Sequence, residues 1–268
     1  MRNYAPQLQK AYELATSVFN EQILDEEKRL ACEYDTEKSN QAIILFNQET
    51  NEILRLPYFM RFKIEYAKAI RRKIWKEIYP RVLGYKYFLF VTFDASTTKY
   101  YSQKDAHEKI QKQWNSLLTR IRKKYKWVSV IKTVEWQDNG LGCHLHVLFC
   151  GLRFIPKKWI KKTWDKLEAS GWAIQFEKIR KFENPKRAVG YILKYIAKSL
   201  RKDDYIPLSL IVNWALHLRS FSVSCRFSPL KNNSNKISSS DWVFLGIMPL
   251  DLALSYSDSE ILSYFQYG

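Results

Sequence analysis

The sequence predicts an α+β fold in which one antiparallel sheet forms a palm that packs on helices. Residues 85–94 (YKYFLFVTFD) are a dense run of β-branched and aromatic residues, which is typical of a strand covered on both faces. Two further strand-like segments, 127–137 and 142–151, are joined by the turn sequence DNGLG. Helical patterns separate and follow these segments, so the predicted order is βαββαβ followed by helices.

The region before this sheet, residues 1–80, is predicted to be a helical appendage of unknown role. Apolar residues recur at helical spacing from Pro6 to about Tyr34, which predicts one long amphipathic helix, and a polar break follows at 35–40. A second helix is predicted over Phe59–Tyr79, and Pro80 should end it.

Residues 81–230 are predicted to form the palm itself, of ferredoxin-like or RNA-recognition-like type. Residues 231–268 are predicted to be a linker and a C-terminal tail, because KNNSNKISSS at 231–240 is rich in loop-forming residues. The remaining predicted elements are a helix at about 103–125, a basic helix from Pro156, a strand at 172–181, a helix at 187–202, a short helix at 207–217 and a strand at 219–227.

The positive charge of the chain is concentrated in its middle. The whole chain carries +17, whereas residues 61–230 hold 36 Lys and Arg against 13 Asp and Glu, a net charge of +23. A polyanionic partner is therefore predicted to bind this part. Basic surfaces interleaved with aromatic rings can follow a phosphate backbone and stack unpaired bases, unless the rings belong to the core. The aromatic residues considered for this role are Trp114, Trp127, Trp159, Trp164 and Tyr125.

Cysteine spacing and hydropathy narrow the class of protein further. The 4 cysteines form no C-x-x-C pair, which argues against a disulfide framework and a structural zinc site. The N-terminus has no basic-then-apolar leader, and no apolar run approaches the roughly 20 residues of a membrane span. We expect a soluble, cytoplasmic protein with no membrane partner. The chain contains no G-x-x-x-x-G-K-[ST] sequence, which is the phosphate-binding loop that an attached helicase would need, so unwinding of any duplex would have to come from a partner, such as a separate helicase, or from superhelical strain.

Two of the 4 histidines, His144 and His146, lie two residues apart in an otherwise apolar strand. Side chains alternate across a strand, so both histidines point to the same face. If Asn139-Gly140 forms a two-residue hairpin turn, Glu135 pairs with His144 and therefore shares that face. A loop of odd length would change the register and place Trp136 or Asp138 on the histidine face instead.

Two imidazoles and a carboxylate at a sheet edge can hold a divalent metal and leave coordination positions open. The pattern thus predicts metal ligands at His144, His146 and Glu135, with Mn²⁺ or Mg²⁺ suited to phosphate chemistry. The alternative is that the two histidines are hydrogen-bonded structural residues without a metal.

A stripe of tyrosines and lysines marks the helix VGYILKYIAKSL (189–200). Tyr191, Lys194, Tyr195 and Lys198 stand at i, i+3, i+4 and i+7, which is one face of a helix. A tyrosine phenol has a pKa of about 10 and needs nearby positive charge or an activated electrophile to act as a nucleophile. Such a stripe can also simply cover the edge of a core.

Together, GLGCHLHVLFCG and VGYILKYIAKSL resemble the two motifs of the HUH endonucleases. The first is similar to their His-hydrophobe-His motif. The second is similar to the Y-x-x-x-Y helix of two-tyrosine rolling-circle replication initiators, in the phage gene A-like branch, where a lysine also falls between the tyrosines. The resemblance covers about 87–202.

This resemblance implies a metal-dependent nickase and strand transferase that acts on single-stranded DNA at a replication origin. Tyr191 or Tyr195 would attack the scissile phosphate, leaving a 5′-phosphotyrosine and a free 3′-OH that primes a polymerase. Lys194 would stabilise the developing charge. The residues expected to contact DNA are Lys198, Arg187, Lys157, Lys158 and Trp159.

Three other functions stay open from the sequence. A transposase or relaxase of the same superfamily would share the chemistry. A non-catalytic protein that binds single-stranded nucleic acid would need the charge and the aromatic rings but no meeting of histidines and tyrosines. A nuclease that activates water would need the metal but not the tyrosines.

Overall fold

The computed structural model describes residues 5–94, 100–167, 180–202, 205–224 and 242–267. It contains two antiparallel sheets with helices packed on them, so the predicted α+β class is confirmed. The larger sheet comprises β3 (Phe88–Asp94), β4 (Ser129–Trp136), β5 (Cys143–Cys150), β6 (Arg180–Phe182) and β7 (Ser222–Val223), and the smaller one β1 (Gln41–Asn47), β2 (Ile53–Pro57) and β8 (Trp242–Pro249). The α-helices are α1 (Pro6–Thr16), α2 (Glu21–Ser39), α3 (Ile64–Lys73), α4 (Tyr79–Val82), α5 (Gln103–Tyr125), α6 (Lys157–Leu167), α7 (Pro185–Ile196), α8 (Leu208–Ala215), α9 (Leu250–Ser255) and α10 (Asp258–Tyr267).

The larger sheet has the strand order β6-β3-β5-β4-β7. Its central pairing follows the predicted register, with Glu135 opposite His144 and Thr133 opposite His146. The connecting turn is not the predicted two-residue hairpin. The ladder stops at Trp136–Cys143, and the Gly140 N–H donates to the Gln137 carbonyl at 2.8 Å. A longer loop with an even number of residues preserves the register, because the side-chain period of a strand is two.

The two faces of the larger sheet are covered by different helices. The odd-numbered apolar residues of β3 and β5, such as Leu89 and Phe149, belong to a core shared with α1, α2, α5, α6 and α8. The even-numbered residues, such as Phe90 and Leu148, belong to a second core shared with α3, α4 and α7. Strand alternation thus gives the histidine-bearing face to the second core.

The N-terminal region differs from the predicted helical appendage. Its first helix is interrupted, because the Asn20 side chain caps α2 by accepting from the Ile23 N–H at 3.2 Å, and α2 then runs through the predicted break to Ser39. Residues 41–57 hold two strands that the sequence analysis missed. β1 and β2 pair with each other as a hairpin, and β1 also pairs with β8 from the predicted tail, a long-range pairing that leaves no local signal.

Pro80 does not end the basic helix as predicted. The helical segment continues from α3 through a π-helical turn, Ile74–Ile78, into α4, which ends at Val82. Pro80 lies in the first turn of α4, directly after the π-helical turn, where the regular α-helical hydrogen-bond pattern is already interrupted.

Some predictions fall wholly or partly outside the described residues. Only the last part of the predicted strand 172–181 is described, as β6, and the linker 231–240 lies outside. The predicted strand 219–227 is described as β7 and its neighbours up to residue 224. The division of the chain at 80 and 230 stays a prediction. Among the helices that the structure describes, none combines the length and apolar character needed to cross a membrane.

Candidate active site

His146 lies at the centre of a polar cluster on the second-core face of the larger sheet. Only 4% of the residue is exposed. Its Nδ1 lies 3.0 Å from the Thr92 Oγ1 on β3, and its Nε2 lies 2.6 Å from the Glu135 Oε2 on β4. Both ring nitrogens are therefore hydrogen-bonded, which fixes the orientation of the imidazole.

The predicted grouping of His144, His146 and Glu135 on one sheet face is present. His144 is half-buried, and its ring centroid lies 6.1 Å from that of His146. Glu135 stands directly opposite His144 in the β4–β5 ladder, although its carboxylate bonds to His146. The diagonal contact arises because long side chains reach the next position on the same face.

Lys198, predicted to contact DNA, instead holds Glu135. Its Nζ lies 2.5 Å from the Glu135 Oε1, and its side chain remains 41% exposed. Burial raises the pKa of Glu135, but the hydrogen bonds from His146 and Lys198 outweigh that effect and lower the pKa below its usual value. Glu135 is therefore a carboxylate at neutral pH, with each oxygen bound to a different partner.

The tyrosine helix packs directly over this cluster. The Asn184 side chain caps α7 by accepting from the Arg187 N–H at 3.1 Å, and Pro185 occupies its first turn. The buried face of α7, which includes Ile192 and Ile196, rests on the sheet. Its apolar residues face inward and its tyrosines lie at the edge, as an amphipathic helix requires.

Tyr191 and Tyr195 contact each other, and Tyr195 also contacts His146. Their hydroxyl oxygens are 3.2 Å apart. The Tyr195 ring centroid lies 3.9 Å from that of His146, and Phe90 on β3 supports both tyrosine rings at centroid distances of 4.7 and 5.1 Å. The two motifs singled out in the sequence therefore lie together, with the Tyr195 ring against the imidazole and the Tyr191 hydroxyl against that of Tyr195.

Three positively charged side chains, Arg180, Lys194 and Lys198, lie near the two tyrosine rings. Burial, followed by the hydrogen bond with Tyr191, raises the pKa of Tyr195 to about 12, whereas Arg180 acts to lower it. The Arg180 guanidinium carbon lies 4.8 Å from the Tyr191 ring centroid, and the Nζ atoms of Lys194 and Lys198 lie 5.9 and 5.3 Å from the Tyr195 centroid. At neutral pH the Tyr195 hydroxyl therefore carries its proton.

Sequence reasoning missed three residues that complete this site: Phe90, Thr92 and Arg180. Thr92 and Phe90 alternate with buried apolar residues on β3, and Thr92 pairs with His146 in the β3–β5 ladder. That pairing would have identified Thr92 if the β3–β5 register had been derived. No local pattern marks Arg180, which reaches the site because β6 pairs with β3 at Phe90.

The other predicted DNA-contacting residues do not gather at the tyrosines. Arg187 is exposed in the first turn of α7, and Lys157 and Lys158 are exposed on α6, across the sheet. Trp159 packs against the first core, with Lys124 at 4.6 Å from its ring centroid. Among the other aromatic residues considered, Trp114 and Trp164 are buried in the first core, Tyr125 packs at its edge, and Trp127 is 83% exposed.

The side chains of this site are of types that bind divalent metals, but their present arrangement does not fit a bound ion. Imidazole nitrogens and a carboxylate are suitable ligands. The Glu135 oxygen and the His146 Nε2 are 2.6 Å apart, closer than two donors that each bind one ion at about 2.0–2.2 Å. Within the described ranges, no group of three or more His, Cys, Asp or Glu side chains is arranged to hold an ion. Metal binding would therefore require the Glu135–His146 hydrogen bond to open.

Residues 87–200, the part that contains the site, match a family model described as that of the replication-associated protein ORF2. The match covers less than half of the chain. It supports the resemblance to replication-associated proteins at this coarse level, and the two-tyrosine phage branch stays a prediction. No curated protein gives a significant sequence match.

Among solved structures, the chain is similar to the N-terminal nuclease domain of non-structural protein-1 from minute virus of mice. That domain is described as coordinating Zn²⁺ in its active-site pocket and recognising DNA at the origin of replication. The identity is 12%, the alignment covers 93% of this chain and 81% of that one, and the TM-score is 0.20. A likeness this weak carries no argument about activity.

Proposed function

We propose that this chain is a rolling-circle replication initiator that nicks single-stranded origin DNA through a covalent 5′-phosphotyrosine and then transfers or rejoins the strand. The observation that carries the proposal is the contact of the two tyrosine hydroxyls, 3.2 Å apart, together with the packing of the Tyr195 ring against the hydrogen-bonded His146. The match of residues 87–200 to replication-associated proteins supports the same role.

In the proposed reaction, the phenolic oxygen of Tyr191 or Tyr195 forms a bond to the scissile phosphorus. The bond from phosphorus to the 3′ oxygen breaks, the phenol loses its proton, and the released 3′ oxygen gains one. The new phosphotyrosine conserves the bond energy, so no nucleotide hydrolysis is needed. The reverse attack, by a 3′-OH on the phosphotyrosine, rejoins a strand.

The chain's own residues would favour this reaction by holding charge near the phenols. Because the pKa of Tyr195 is about 12, the phenol needs positive charge as its proton leaves. Arg180, Lys194 and Lys198 supply positive charge at 4.8 to 5.9 Å from the tyrosine ring centroids. A divalent metal, Mn²⁺ or Mg²⁺, which His144, His146 and Glu135 would hold, would supply Lewis-acid polarisation of the phosphate.

The free 3′-OH left by cleavage would prime a DNA polymerase, and a separate helicase would unwind the origin. The second tyrosine would attack the newly copied junction while the first phosphotyrosine is still in place. The 3.2 Å separation of the hydroxyls supports this alternation, because both can reach one region of the substrate without moving the helix.

Covalent capture tests the proposal. The protein is incubated with Mn²⁺ and 3′-labelled single-stranded DNA from its own replicon and then denatured, and label on the protein is measured. We expect a labelled band that is lost in the Tyr191→Phe/Tyr195→Phe double variant and in His144→Ala. Cleavage without label on the protein would indicate a nuclease that activates water. A transposase or relaxase would form the same adduct on a different DNA.

The second candidate, a non-catalytic protein that binds single-stranded nucleic acid, is favoured by one observation. Glu135 is satisfied by His146 and Lys198, so the polar cluster is internally hydrogen-bonded as a structural network would be. Binding of origin DNA with neither cleavage nor adduct, across several metals, would select this candidate.

A further inference from the structure

A groove of about 550 Å³ lies beside the candidate active site, between the helical segment 64–82 and the edge strand β7. One wall presents Tyr66, Lys73 and Arg81 from the helical segment. The other wall presents Arg219 and Phe221. The residues on the first wall follow one stripe of the segment, so they face the same space.

The groove carries uncompensated positive charge. Lys73, Arg81 and Arg219 line it together with a single acid, Glu77. Among the described residues, none of the three cations forms an ion pair. The Arg81 Nε is also buried with no hydrogen-bond partner in the part of the chain that the structure describes. Buried donors in native proteins are nearly always hydrogen-bonded to protein, ordered water or a ligand, so an ordered water or a bound acceptor would satisfy this atom.

A π-helical turn, Ile74–Ile78, interrupts the helical wall between Lys73 and Arg81. Single π turns inside helices are frequent at functional sites. Here the turn lies at the middle of the groove wall, beside its cations.

The groove is connected to the active site through one hydrogen bond. The Thr133 Oγ1 donates to the Ser220 carbonyl, which lines the groove, at 2.6 Å. Thr133 pairs directly with His146. Two strand spacings of about 4.8 Å separate β7 from β5, so the groove starts about 10 Å from the histidine strand. A single strand can extend further per nucleotide than the roughly 3.4 Å rise of duplex DNA, so it covers this distance within about three nucleotides.

We infer that this groove binds the single-stranded DNA that flanks the scissile phosphate, with Lys73, Arg81 and Arg219 on phosphates and Tyr66 and Phe221 against bases. Cations that follow the backbone and rings that stack on bases are the general means of binding single strands. The inference rests on the proposed function for its substrate, but binding can be measured without cleavage.

The test compares two double variants of the same helical segment. Lys73→Ala/Arg81→Ala removes the groove cations, and Lys68→Ala/Arg72→Ala removes one exposed Lys and one exposed Arg outside the groove. The probe is fluorescein-labelled oligothymidylate of about 16 nucleotides, titrated by anisotropy at several salt concentrations. We expect the groove variant to bind about tenfold or more weakly, with a salt dependence reduced by about two phosphate contacts, and the control to change by less than about threefold.

Photocrosslinking gives a second readout that does not depend on the variants folding. Oligothymidylate carrying 5-iodouracil should crosslink to Tyr66 or Phe221, as identified by mass spectrometry. Equal weakening in both double variants, together with crosslinks confined to other surfaces, would overturn the inference.

The two proposals can fail separately. If the groove binds as expected but wild-type protein forms no phosphotyrosine on origin DNA, the proposed function is wrong and the groove stands as a binding site. If the adduct forms but the two double variants bind alike, the groove assignment is wrong and the initiator function stands.

Discussion

The two faces of the five-stranded sheet are built from the same strands but bury different chemistry. On one face, residues such as Val91 and Phe149 pack against α5 and α6 in an apolar core. On the other face, the apolar pair Phe90–Leu148 of β3 and β5 lies next to the polar pair Thr92–His146. The surface beneath α7 therefore changes from apolar to polar along these two strands. One strand therefore contributes to stability through one face and to chemistry through the other.

Titratable groups respond to burial differently on the two sides. On the apolar side, burial raises the pKa of Glu27 to about 7 and lowers the pKa of Lys132 to about 8. On the tyrosine side, Glu135 is also substantially buried, but His146 and Lys198 keep its pKa below the usual value. Burial without a charged partner favours the neutral form, whereas a cationic partner keeps a buried carboxylate charged.

The largest effect should come from opening a cavity on the apolar side. Phe149→Ala should lower the free energy of unfolding by about 3–5 kcal/mol, because its ring is fully buried between the sheet and Trp114. Urea denaturation measures the change. Phe154→Ala, at a residue that is 56% exposed, is the control and should change the free energy by less than about 0.5 kcal/mol. A similar loss in both variants would contradict the assigned packing.

The next effect concerns the buried carboxylate on the apolar side. The folded pKa of Glu27, about 7, exceeds its ordinary value of 4.5, so the folded state keeps a proton that the unfolded state releases. Its contribution to stability is therefore present below pH 4.5 and is lost as the pH rises through about 7. Glu27→Gln should be more stable than wild type by up to about 3 kcal/mol at about pH 8.

This difference between Glu27→Gln and wild type should vanish below pH 4.5. The measurement is urea denaturation across the pH range, with the exposed Glu21→Gln of the same helix as control. A Gln variant that loses stability with rising pH as wild type does would show that Glu27 is not the titrating group.

On the tyrosine side, the corresponding change should affect activity rather than folding. Glu135→Gln keeps a hydrogen-bond acceptor for His146 but loses the charge that holds Lys198, so we expect adduct formation to slow by about 100-fold. The free energy of unfolding should change by about 1 kcal/mol or less, because Lys198 is partly exposed.

Single-turnover adduct formation and urea denaturation measure these two quantities for Glu135→Gln. Glu108→Gln, on the solvent side of α5, should change neither. An unchanged adduct rate in Glu135→Gln would place the carboxylate among structural residues and weaken the contrast between the two faces.

The smallest effect is expected from the exposed lysines across the sheet. Lys157→Ala/Lys158→Ala removes two charges from α6, on the side opposite the tyrosines. Oligothymidylate should bind this variant within about threefold of wild type, since distant charges act only through screened, long-range attraction. Weakening equal to that of Lys73→Ala/Arg81→Ala would show that DNA follows both sides of the sheet.

Much of the sheet and of the candidate site could be predicted because its signals are local. The alternation in β5 placed His144 and His146 on one face, and the even loop length set Glu135 beside them. The spacing of Tyr191 and Tyr195 placed them on one stripe of α7. The pairing of β1 with β8 in the small sheet could not be predicted, because β8 comes from the far end of the chain.

Sequence periodicity by itself determined which side chains share a strand face or a helix stripe, since those relations depend only on the 2-residue and 3.6-residue repeats of the backbone. The tertiary structure alone decided that α7 lies over the histidine face, that Lys198 reaches Glu135 from 63 residues away, and that Arg219 faces Arg81 across a groove. Such long-range contacts depend on how the helices and strands pack and on which loops can close, and neither is encoded in a local sequence pattern.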